Sequence, residues 1–409
     1  MTAASFVPSW ADSPPGRRAT LAEALQLAAE LSPAIAAARA AVAEAEAGLL
    51  EARVYPHNPE VSVGWARREG EGDSSRDTGL ELSQQIEIAG QRGRRGAAAT
   101  AEVEAARAGL AHERRLLAAR VTSVFAEAAR ARGHLDVEAS DIDLARRLQE
   151  IARRRFDAGR ATELDLNFAS AELGRARRRQ LLAGAAFVEA SAMLAEAIGL
   201  DPATPVEPVG EPLLEMEPPP LERLLELGIQ NGADLEALRQ QRGAAQKRIA
   251  LARSEAIPDV LVGVFREREA QAETITGVGI SLALPLFNRN QGAIAGSRAV
   301  VERVTQDLRL RELELAREIV AARARYEAAA ASAREFETAV LGKLRDNLDL
   351  LERSFEAGKL GLTEVVVIRR ELLDAQREHV EAKAEAWQAR VALDLASGVI
   401  TLPDQEEGR

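Results

Sequence analysis

Histidine and cysteine are the residues with which a metal or redox site would most readily be built. The chain has four histidines and no cysteine, which excludes thiolate ligands, disulfides and a cysteine-borne lipid anchor. The histidines are His57, His112, His134 and His379; they lie far apart and lack the i, i+4 spacing that brings two imidazoles to one metal ion. The sequence therefore predicts neither a specific metal site nor a cofactor.

Other sequence patterns that support catalysis are also missing. The chain contains no phosphate-binding glycine loop, no nucleophile elbow and no isolated carboxylate pair. The acidic segment Gly70-Glu71-Gly72-Asp73 lacks the full calcium-loop pattern, so we interpret it as a solvated hairpin loop. With a net charge of −11 and arginines interleaved with acidic residues, the chain also lacks a basic face for nucleic acid. We expect a protein that is not an enzyme.

Two ten-residue segments, Phe156–Asp165 and Phe355–Glu364, combine glycine, threonine and carboxylate in a similar order. Glycine adopts the left-handed conformation that ends a helix, threonine caps the next helix, and glutamate favours the positive end of that helix. The corresponding residues are Gly159 with Gly358, Thr162 with Thr363, and Glu163 with Glu364. Each segment is predicted to reverse the chain between two helices, and capping alone is a sufficient explanation of these residues.

The reversals belong to a unit that occurs twice. Residues 21–200 and 221–398 align at an offset of about 200. Shared landmarks pair Pro59 with Pro258, Gly79 with Gly279, and Phe156 with Phe355. Seven prolines within 201–220 exclude regular helix and indicate a linker between the copies. Residues 1–20 form an N-terminal segment outside the copies, and 399–409 form a C-terminal tail.

Each copy is predicted to consist of a helix, two strands, a long helix, a turn and a shorter helix. The first helix spans about 21–53, and the long helices run from about 90 to 156 and from about 292 to 355. About 65 residues of helix extend over roughly 100 Å. The low aromatic content of 3% and the abundance of alanine, glutamate, arginine and leucine are typical of coiled coils. The predicted fold class is mainly α with a small β part.

In the predicted strands the apolar residues alternate with small or polar ones. The apolar positions are Val61, Val63, Trp65, Leu80, Leu82, Val260, Val262, Val264, Val278, Ile280 and Leu282. Strands of 9–11 residues cross an outer membrane when tilted, with such a face toward lipid. Two half-exposed hairpins packed on a helical body are the alternative. Because four strands cannot close a barrel and lipid does not tolerate open edges, a membrane role requires several chains.

Apolar runs and the N-terminal segment are two further sequence features that concern membrane insertion. No run of about 18 apolar residues is present, which predicts the absence of a transmembrane helix. Residues 1–20 lack a charged region followed by an apolar one, although Ser9-Trp10-Ala11 could end a cleavage site. We interpret this segment as either a mature N-terminus or the remnant of a signal peptide with an upstream start.

The order of elements, repeated across a proline-rich linker, resembles the TolC family of outer-membrane efflux proteins over residues 21–398. Leu284-Pro285-Leu286-Phe287-Asn288-Arg289-Asn290-Gln291-Gly292 is similar to the junction of the fourth strand and the next helix in the heavy-metal branch of that family. Gln84-Gln85-Ile86-Glu87-Ile88-Ala89-Gly90-Gln91-Arg92 resembles its first-half counterpart. The resemblance implies a homotrimer, with a 12-stranded β-barrel in outer-membrane lipid and a helical barrel in the periplasm.

The resemblance also implies a function and partners. The protein would be the passive exit duct of a tripartite efflux system, joined to a periplasmic adaptor (membrane fusion) protein and an inner-membrane resistance–nodulation–division (RND) pump. The heavy-metal branch implies metal cations as the exported substrate. A soluble coiled-coil structural or interaction protein without channel activity is the alternative function. It would be recovered in the soluble fraction as a monomer or dimer, whereas a duct would be extracted by detergent as a trimer.

By the same resemblance, the two reversals form the periplasmic tip, where the duct closes and the adaptor docks. The implied tip residues are Gly159, Arg160, Thr162, Glu163, Phe355, Gly358, Lys359, Leu360, Gly361, Thr363 and Glu364. Phe355 stands where the family often has a constriction tyrosine, and Leu360 replaces an arginine that ties the closed tip in the best-known members. A different closing network would use the four charged residues of this set. Three Glu364 side chains around the entrance would attract cations.

Overall fold

The computed structural model describes residues 17–70, 73–210, 217–269, 273–400 and 402. The cleavage-like segment at residues 9–11, the centre of the acidic hairpin loop and the centre of the linker lie outside this range. Contacts divide the chain into two units. Unit 1 comprises residues 1–36, 113–232 and 314–409, and unit 2 comprises residues 37–112 and 233–313.

The first half of the chain contains a helix pair, a hairpin, a long helix and a return helix. These elements and those next to them are β1 (Arg17–Ala19), α1 (Leu21–Leu31), α2 (Pro33–Arg53), β2 (Glu60–Gly70), β3 (Asp73–Ile86), α3 (Gln91–Asp157) and α4 (Glu163–Ile198). The linker then contributes the short strand β4 (Val206–Pro208), which pairs in parallel with β1. The linker is therefore attached to the N-terminal segment, a contact that its prolines do not predict.

The second half of the described chain has the same order with one interruption. Its elements are α5 (Leu221–Asn231), α6 (Ala233–Ser254), β5 (Val260–Arg268), β6 (Thr274–Leu282), α7 (Gln291–Glu335), a π-helix (Phe336–Leu341), α8 (Gly342–Glu356) and α9 (Leu362–Ala396). The prediction of one continuous helix from about 292 to 355 is therefore wrong at the π-helix. Within it, the Thr338 hydroxyl donates to the Arg334 carbonyl over 2.9 Å, a type of bond that bends helices.

The prediction of one helix over 21–53 is also wrong, because the chain turns between α1 and α2. Ser32 is extended, with φ −64° and ψ 123°, and the next residue is Pro33. A proline ring disfavours the helical conformation of the residue before it, so Pro33 begins a new helix. In the second half Gly232 takes a similar conformation, with φ −59° and ψ 103°, between α5 and α6.

Corresponding glycines end the two return helices by the same close contact. Gly199 follows α4 with φ +95°, and a Cβ atom there would lie 2.7 Å from the Leu31 carbonyl oxygen at the end of α1. Gly398 follows α9 with φ +70°, and a Cβ atom there would lie 2.7 Å from the Asn231 side chain at the end of α5. Only glycine satisfies both the left-handed backbone and this approach.

The larger sheet belongs to unit 2 and has the strand order β2-β3-β5-β6. All neighbouring strands are antiparallel, and the two hairpins join through β3 and β5. Because β2 and β6 are at the edges, each presents unpaired backbone groups on its outer side. The strands begin and end beside helices at one end of the sheet, while the hairpin loops lie at the other end.

Among the helices that the structure describes, one is long and apolar enough to cross a membrane, although the sequence predicts no transmembrane helix. This helix is α4, in which 39% of the apolar window is buried. Alanine residues make up much of its buried face. α4 packs on α1 and β4 within unit 1, as a core helix does.

Candidate functional site

The first reversal, between α3 and α4, is built by glycine and by a reciprocal cap. Gly159 has φ +67°, and the Arg160 N–H donates to the Arg155 carbonyl over 2.7 Å, which completes the helix end. The Asp165 N–H donates to the Thr162 hydroxyl, while the Thr162 N–H donates to the Asp165 carboxylate over 2.9 Å. Hydrogen bonds from the Thr162 backbone and hydroxyl hold the pKa of Asp165 below its usual value. The predicted roles of Gly159 and Thr162 as helix caps are confirmed.

The second reversal, between α8 and α9, uses the same helix end and a different cap. Gly358 has φ +72°, as predicted, and the Lys359 N–H donates to the Ser354 carbonyl over 2.9 Å. The N-cap position is Gly361, whose N–H donates to the Glu364 carboxylate over 2.9 Å. The prediction that Thr363 caps this helix is wrong, because α9 begins at Leu362 and Thr363 lies within its first turn.

The two reversals pack against each other inside unit 1. Their apolar core contains Leu144, Leu148, Ile151, Ala152, Ala169, Leu351, Phe355, Leu362, Val365 and Val366, with Phe168 and Leu360 packed against it. The Arg155 guanidinium lies 5.0 Å from the centre of the Phe355 ring, and it donates to the Phe355 carbonyl over 3.1 Å. Arg154 and Glu356 form an exposed ion pair at 3.4 Å.

Two of the implied tip residues therefore have a packing role within one chain. Phe355 is only 2% exposed, so its ring offers almost no surface to an aperture. In the single chain the Phe355 ring fills the core between α3, α8 and α9. Leu360, at the position of the family's tip arginine, is partly buried against the same core.

The four charged tip residues remain at the surface. Arg160, Glu163, Lys359 and Glu364 are all exposed. Within the described chain, none of them forms an ion pair with another residue. The Glu364 side chain is exposed while one of its carboxylate oxygens accepts the Gly361 N–H.

A buried ionic network lies in unit 1 between α3, α4 and α9. Asp141 on α3 is 0% exposed and lies 2.6 Å from Arg369 on α9, which is 1% exposed. Arg179 on α4 reaches the other oxygen of Asp141 over 2.6 Å. Three helices are therefore joined through one carboxylate. Such a pair is costly to desolvate, and removing one partner is more costly still.

Two further carboxylates extend this network. Glu172 on α4 is 2% exposed and accepts from Arg370 on α9 over 2.8 Å; Arg175 also binds it. Glu138 on α3 is 5% exposed and accepts from Arg377 on α9 over 2.8 Å. We name the whole set the buried ion network: Glu138, Asp141, Glu172, Arg175, Arg179, Arg369, Arg370 and Arg377.

Sequence reasoning missed this network, although a signal was present. Asp141 lies in the apolar stripe of α3, where Leu144, Ala145 and Leu148 are also buried. Arg369 lies likewise in the stripe of α9, between Val366 and Leu373. Opposite charges at core positions of two long helices indicate a specific pairing between those helices.

The strand register brings all eleven predicted apolar positions to one face of the sheet. Val61 lies opposite Leu82, Leu82 opposite Val264, and Val264 opposite Val278, which forms one cross-strand row. Directly opposed residues share a face. The face is largely exposed in the single chain, with Trp65 at 81% and Ile280 at 76%. We name it the apolar face.

The opposite face carries small and acidic residues. Glu81 lies opposite Ser62 on β2 and Phe265 on β5, and Glu267 lies opposite Gly79 and Ile275. A Cβ atom on Gly277 would lie 2.5 Å from the Phe265 ring, so the ring occupies the space of the missing side chain. This face is suited to water, since it exposes carboxylates and backbone.

Two of the histidines lie beside carboxylates. His57 is 3.3 Å from Asp259, and His134 is 2.8 Å from Glu381. Among the residues that the structure describes, no group of three or more metal-ligating side chains is arranged around a common point.

Long helices together with a sheet that has an exposed apolar face and two open edges are features of a membrane-channel subunit. The description "outer membrane efflux protein" belongs to the family whose sequence profile matches residues 24–200 and 224–399. These two ranges cover most of the chain, and the chain belongs to this family. It is an efflux channel subunit of the outer membrane, with its helical part in the periplasm.

Similar proteins agree with this assignment over nearly the whole chain. The cobalt-zinc-cadmium resistance protein CzcC of Cupriavidus metallidurans is 27% identical over 93% of this chain and 90% of its own length. Protein CyaE of Bordetella pertussis is 31% identical over 95% of this chain and 87% of its own length. The crystal structure of CusC, 16% identical, matches 93% of this chain and 92% of that chain with a TM-score of 0.76. This likeness shows the fold, which is mainly α with a small β part.

Proposed function

We propose that the chain is one of three identical subunits of a passive duct that carries metal cations out of the cell. An RND pump in the inner membrane and a periplasmic adaptor protein would supply the cations. The observation that supports the metal substrate is the match to CzcC across nearly the full length of both chains. The duct itself would perform no catalytic step. The two repeats of the chain, 21–200 and 221–398, would form two equivalent segments of the duct wall. The linker at 201–220 would join them.

The strand order of the sheet supports the proposed trimer. Four strands with two open edges leave unpaired backbone groups that lipid cannot satisfy. Three chains would contribute 12 strands, enough to close a barrel by pairing β6 of one chain with β2 of the next. In that barrel the apolar face would contact lipid, and the face with Glu81 and Glu267 would line the lumen.

Metal tolerance tests the proposed substrate. We expect a host strain without this gene to lose growth at cobalt, zinc or cadmium concentrations that the parent tolerates, because the exported cations would have no exit. The wild-type gene should restore tolerance. Detergent extraction of a cross-linked trimer from the outer membrane is the parallel measurement. A correctly assembled trimer with unchanged tolerance to all three metals would contradict the metal substrate and leave the duct intact.

The tip is proposed to lie at the two reversals, with Glu163 and Glu364 as its exposed carboxylates and Arg160 and Lys359 as its exposed cations. None of these four has an ion-pair partner within the described chain, which leaves them available to a neighbouring subunit or to the adaptor. Gly159, Gly358 and Gly361 set the shape of the reversals. Three copies of Glu364 would create a negative potential at the entrance.

Replacing Glu364 by glutamine tests that potential. Glutamine can still accept the Gly361 N–H, so the cap is kept while the charge is removed. In planar bilayers we expect weaker cation selectivity and lower conductance, most clearly near 0.1 M salt, where the screening length is about 10 Å. Glu302→Gln, an exposed change on α7, is the matched control. Unchanged selectivity in Glu364→Gln would show that the ring does not act on ions.

A further inference from the structure

The two copies differ in how the junction between their second strand and their long helix is covered. In the first copy Gln91 is only 3% exposed. Its Oε1 accepts the Ala89 N–H over 2.8 Å, and its Nε2 donates to the Asp259 carboxylate of the second copy over 2.9 Å. In the second copy Gln291 occupies the same position, and its Oε1 likewise accepts the Arg289 N–H over 2.7 Å. This second glutamine is exposed.

The backbone before each glutamine is also repeated. Gly90 has φ +71° and Asn290 has φ +55°, so both helices are entered from a left-handed residue. The Arg94 N–H donates to the Gly90 carbonyl over 3.1 Å, and the Ile294 N–H donates to the Asn290 carbonyl over 3.0 Å. Because the two junctions have the same local structure, their difference in exposure arises from what lies beside each one.

The start of β5 is what covers Gln91. Asp259 is the residue before this strand and accepts the Gln91 amide. Its counterpart in the first copy is Glu60, since Pro59 aligns with Pro258. Glu60 begins the edge strand β2 and is exposed. The single chain therefore exposes the carboxylate of this pair at one edge of the sheet and the amide beyond the other edge.

We infer that Gln291 donates a hydrogen bond to Glu60 of the partner subunit, as Gln91 donates to Asp259 within the chain. The partner is a second copy of this chain. The side-chain amide has two hydrogens, so its bond to the Phe287 carbonyl over 3.2 Å leaves one for the partner. Hydrogen bonds to a carboxylate are charge-assisted. The inference rests on the proposed trimer, and it adds the contact that aligns neighbouring subunits.

The strand register within the chain supplies a check on this pairing. Leu82 on β3 lies opposite Val264 on β5. The corresponding residues of the other copy are Leu282 and Trp65. Transfer of the register to β6 and β2 places Leu282 opposite Trp65 of the partner subunit. Both belong to the apolar face, whereas a slip of one residue would oppose residues of different faces. The amide pairing and the division of the strands into two faces therefore agree.

The helices beside the first junction show how those beside the second would pack. Gln91 on α3 binds Asp259, and Glu102 on α3 binds Arg248 on α6 over 2.7 Å. The second pair lies eleven residues after Gln91 and eleven residues before Asp259, so α3 and α6 run antiparallel. The repeat transfers this arrangement to α7 and to α2 of the partner subunit.

The faces of α2 and α7 are complementary in size for this packing. Leu50 and Val54 are each 65% exposed. They would lie near the start of α7, where a Cβ atom on Gly296 would meet nothing within 4 Å in the single chain. Leu310, which is 56% exposed, would lie near Ala40 of the partner subunit. The exposed face of α2 has the heptad spacing of a helix seam: Ala40, Ala43, Ala47, Leu50 and Val54.

A charge exchange tests the amide–carboxylate contact. Gln291→Glu keeps the acceptor for the Arg289 N–H and replaces the Nε2 donor by an oxygen that repels Glu60. We expect about tenfold less detergent-resistant trimer than in the wild type. Adding Glu60→Gln should restore the trimer, because an amide and a carboxylate again face each other. Gln246→Glu, an exposed change of the same kind on α6, is the control and should leave the trimer unchanged.

A cysteine pair tests the register, since the chain has no cysteine of its own. Leu282→Cys with Trp65→Cys should be oxidised to covalent trimers, because directly opposed residues of antiparallel strands have Cα atoms about 4.5–5.5 Å apart. Within one chain these positions are on the two edge strands and cannot meet. Leu282→Cys with Val61→Cys is the control, displaced by about 13 Å along β2, and it should not cross-link.

Three outcomes would overturn the inference. These are equal amounts of trimer in the wild type and Gln291→Glu, no recovery on adding Glu60→Gln, and equal cross-linking of the two cysteine pairs. Each of them leaves the proposed duct standing if the wild type is a trimer. A wild-type chain that forms no trimer contradicts the proposed function itself, so the two failures are distinguishable.

Discussion

Arg369→Met is expected to destabilise unit 1 by about 3–5 kcal/mol, because it leaves buried carboxylates without their central cation. Asp141 would keep Arg179, but its bond to α9 would be lost, and Glu172 would lose a cation 3.8 Å away. The measurement is chemical unfolding of the detergent-solubilised protein, followed by far-ultraviolet circular dichroism. Methionine preserves the length and much of the apolar stem of arginine, so the packing of α9 is largely retained.

Two further variants show whether the loss arises from buried charge. Arg303→Met breaks the exposed i, i+4 pair with Asp307, and it should cost less than about 1 kcal/mol. Asp141→Leu combined with Arg369→Met replaces the central pair by apolar groups, and it should recover much of the stability of the single variant. If Arg369→Met were no more harmful than Arg303→Met, the network would not be what holds α9 against α3 and α4.

Val61→Arg is expected to abolish assembly in the outer membrane, whereas Ser62→Arg is expected to be tolerated. Val61 lies in the central row of the apolar face, where an arginine costs about 2–4 kcal/mol per chain and therefore three times that in a trimer. Ser62 is on the other face, opposite Glu81, which can pair with the new guanidinium. The measurement is the amount of detergent-resistant oligomer in outer-membrane fractions.

This adjacent pair tests the direction of the sheet as well as its membrane role. Both substitutions add the same side chain to the same edge strand, so differences in expression or strand propensity largely cancel. If Ser62→Arg prevented assembly and Val61→Arg did not, the apolar face would be directed away from lipid. Equal tolerance of both would indicate that β2 does not cross the membrane.

The residues at the helix ends show which structural features can be predicted from neighbouring residues alone. Gly159 and Gly358 were predictable because a left-handed helix end requires a residue without a Cβ atom. Thr162 was predictable for the same local reason, since a hydroxyl at the N-cap meets an N–H three residues later. Thr363 was wrongly assigned as the N-cap because Gly361, the actual N-cap residue, has no side chain that could be recognised as a cap in the sequence. Glu364 takes over part of that role from inside the helix.

The breaks within predicted helices show a second limit. Pro33 was a readable signal for the end of α1, because its ring restricts the preceding residue. The π-helix at Phe336–Leu341 contains neither proline nor glycine that would signal a break. Phe355 was placed correctly in the reversal, yet its burial depends on α3, which lies about 200 residues away in sequence.

By itself, the sequence determined the local features of this protein. The period of its apolar residues separates helices from strands and divides each strand into two faces, and the recurrence of proline, glycine and phenylalanine shows the two copies. Only the tertiary structure decided which residues meet: β3 beside β5, Asp141 with Arg369, and Arg67 opposite Arg76. The physical reason is the sequence separation over which each effect acts. Apolar periodicity and helix caps depend on residues within a few positions of each other. Strand register and ion pairing depend on contacts between segments that are distant in sequence, and no local pattern specifies how those segments align.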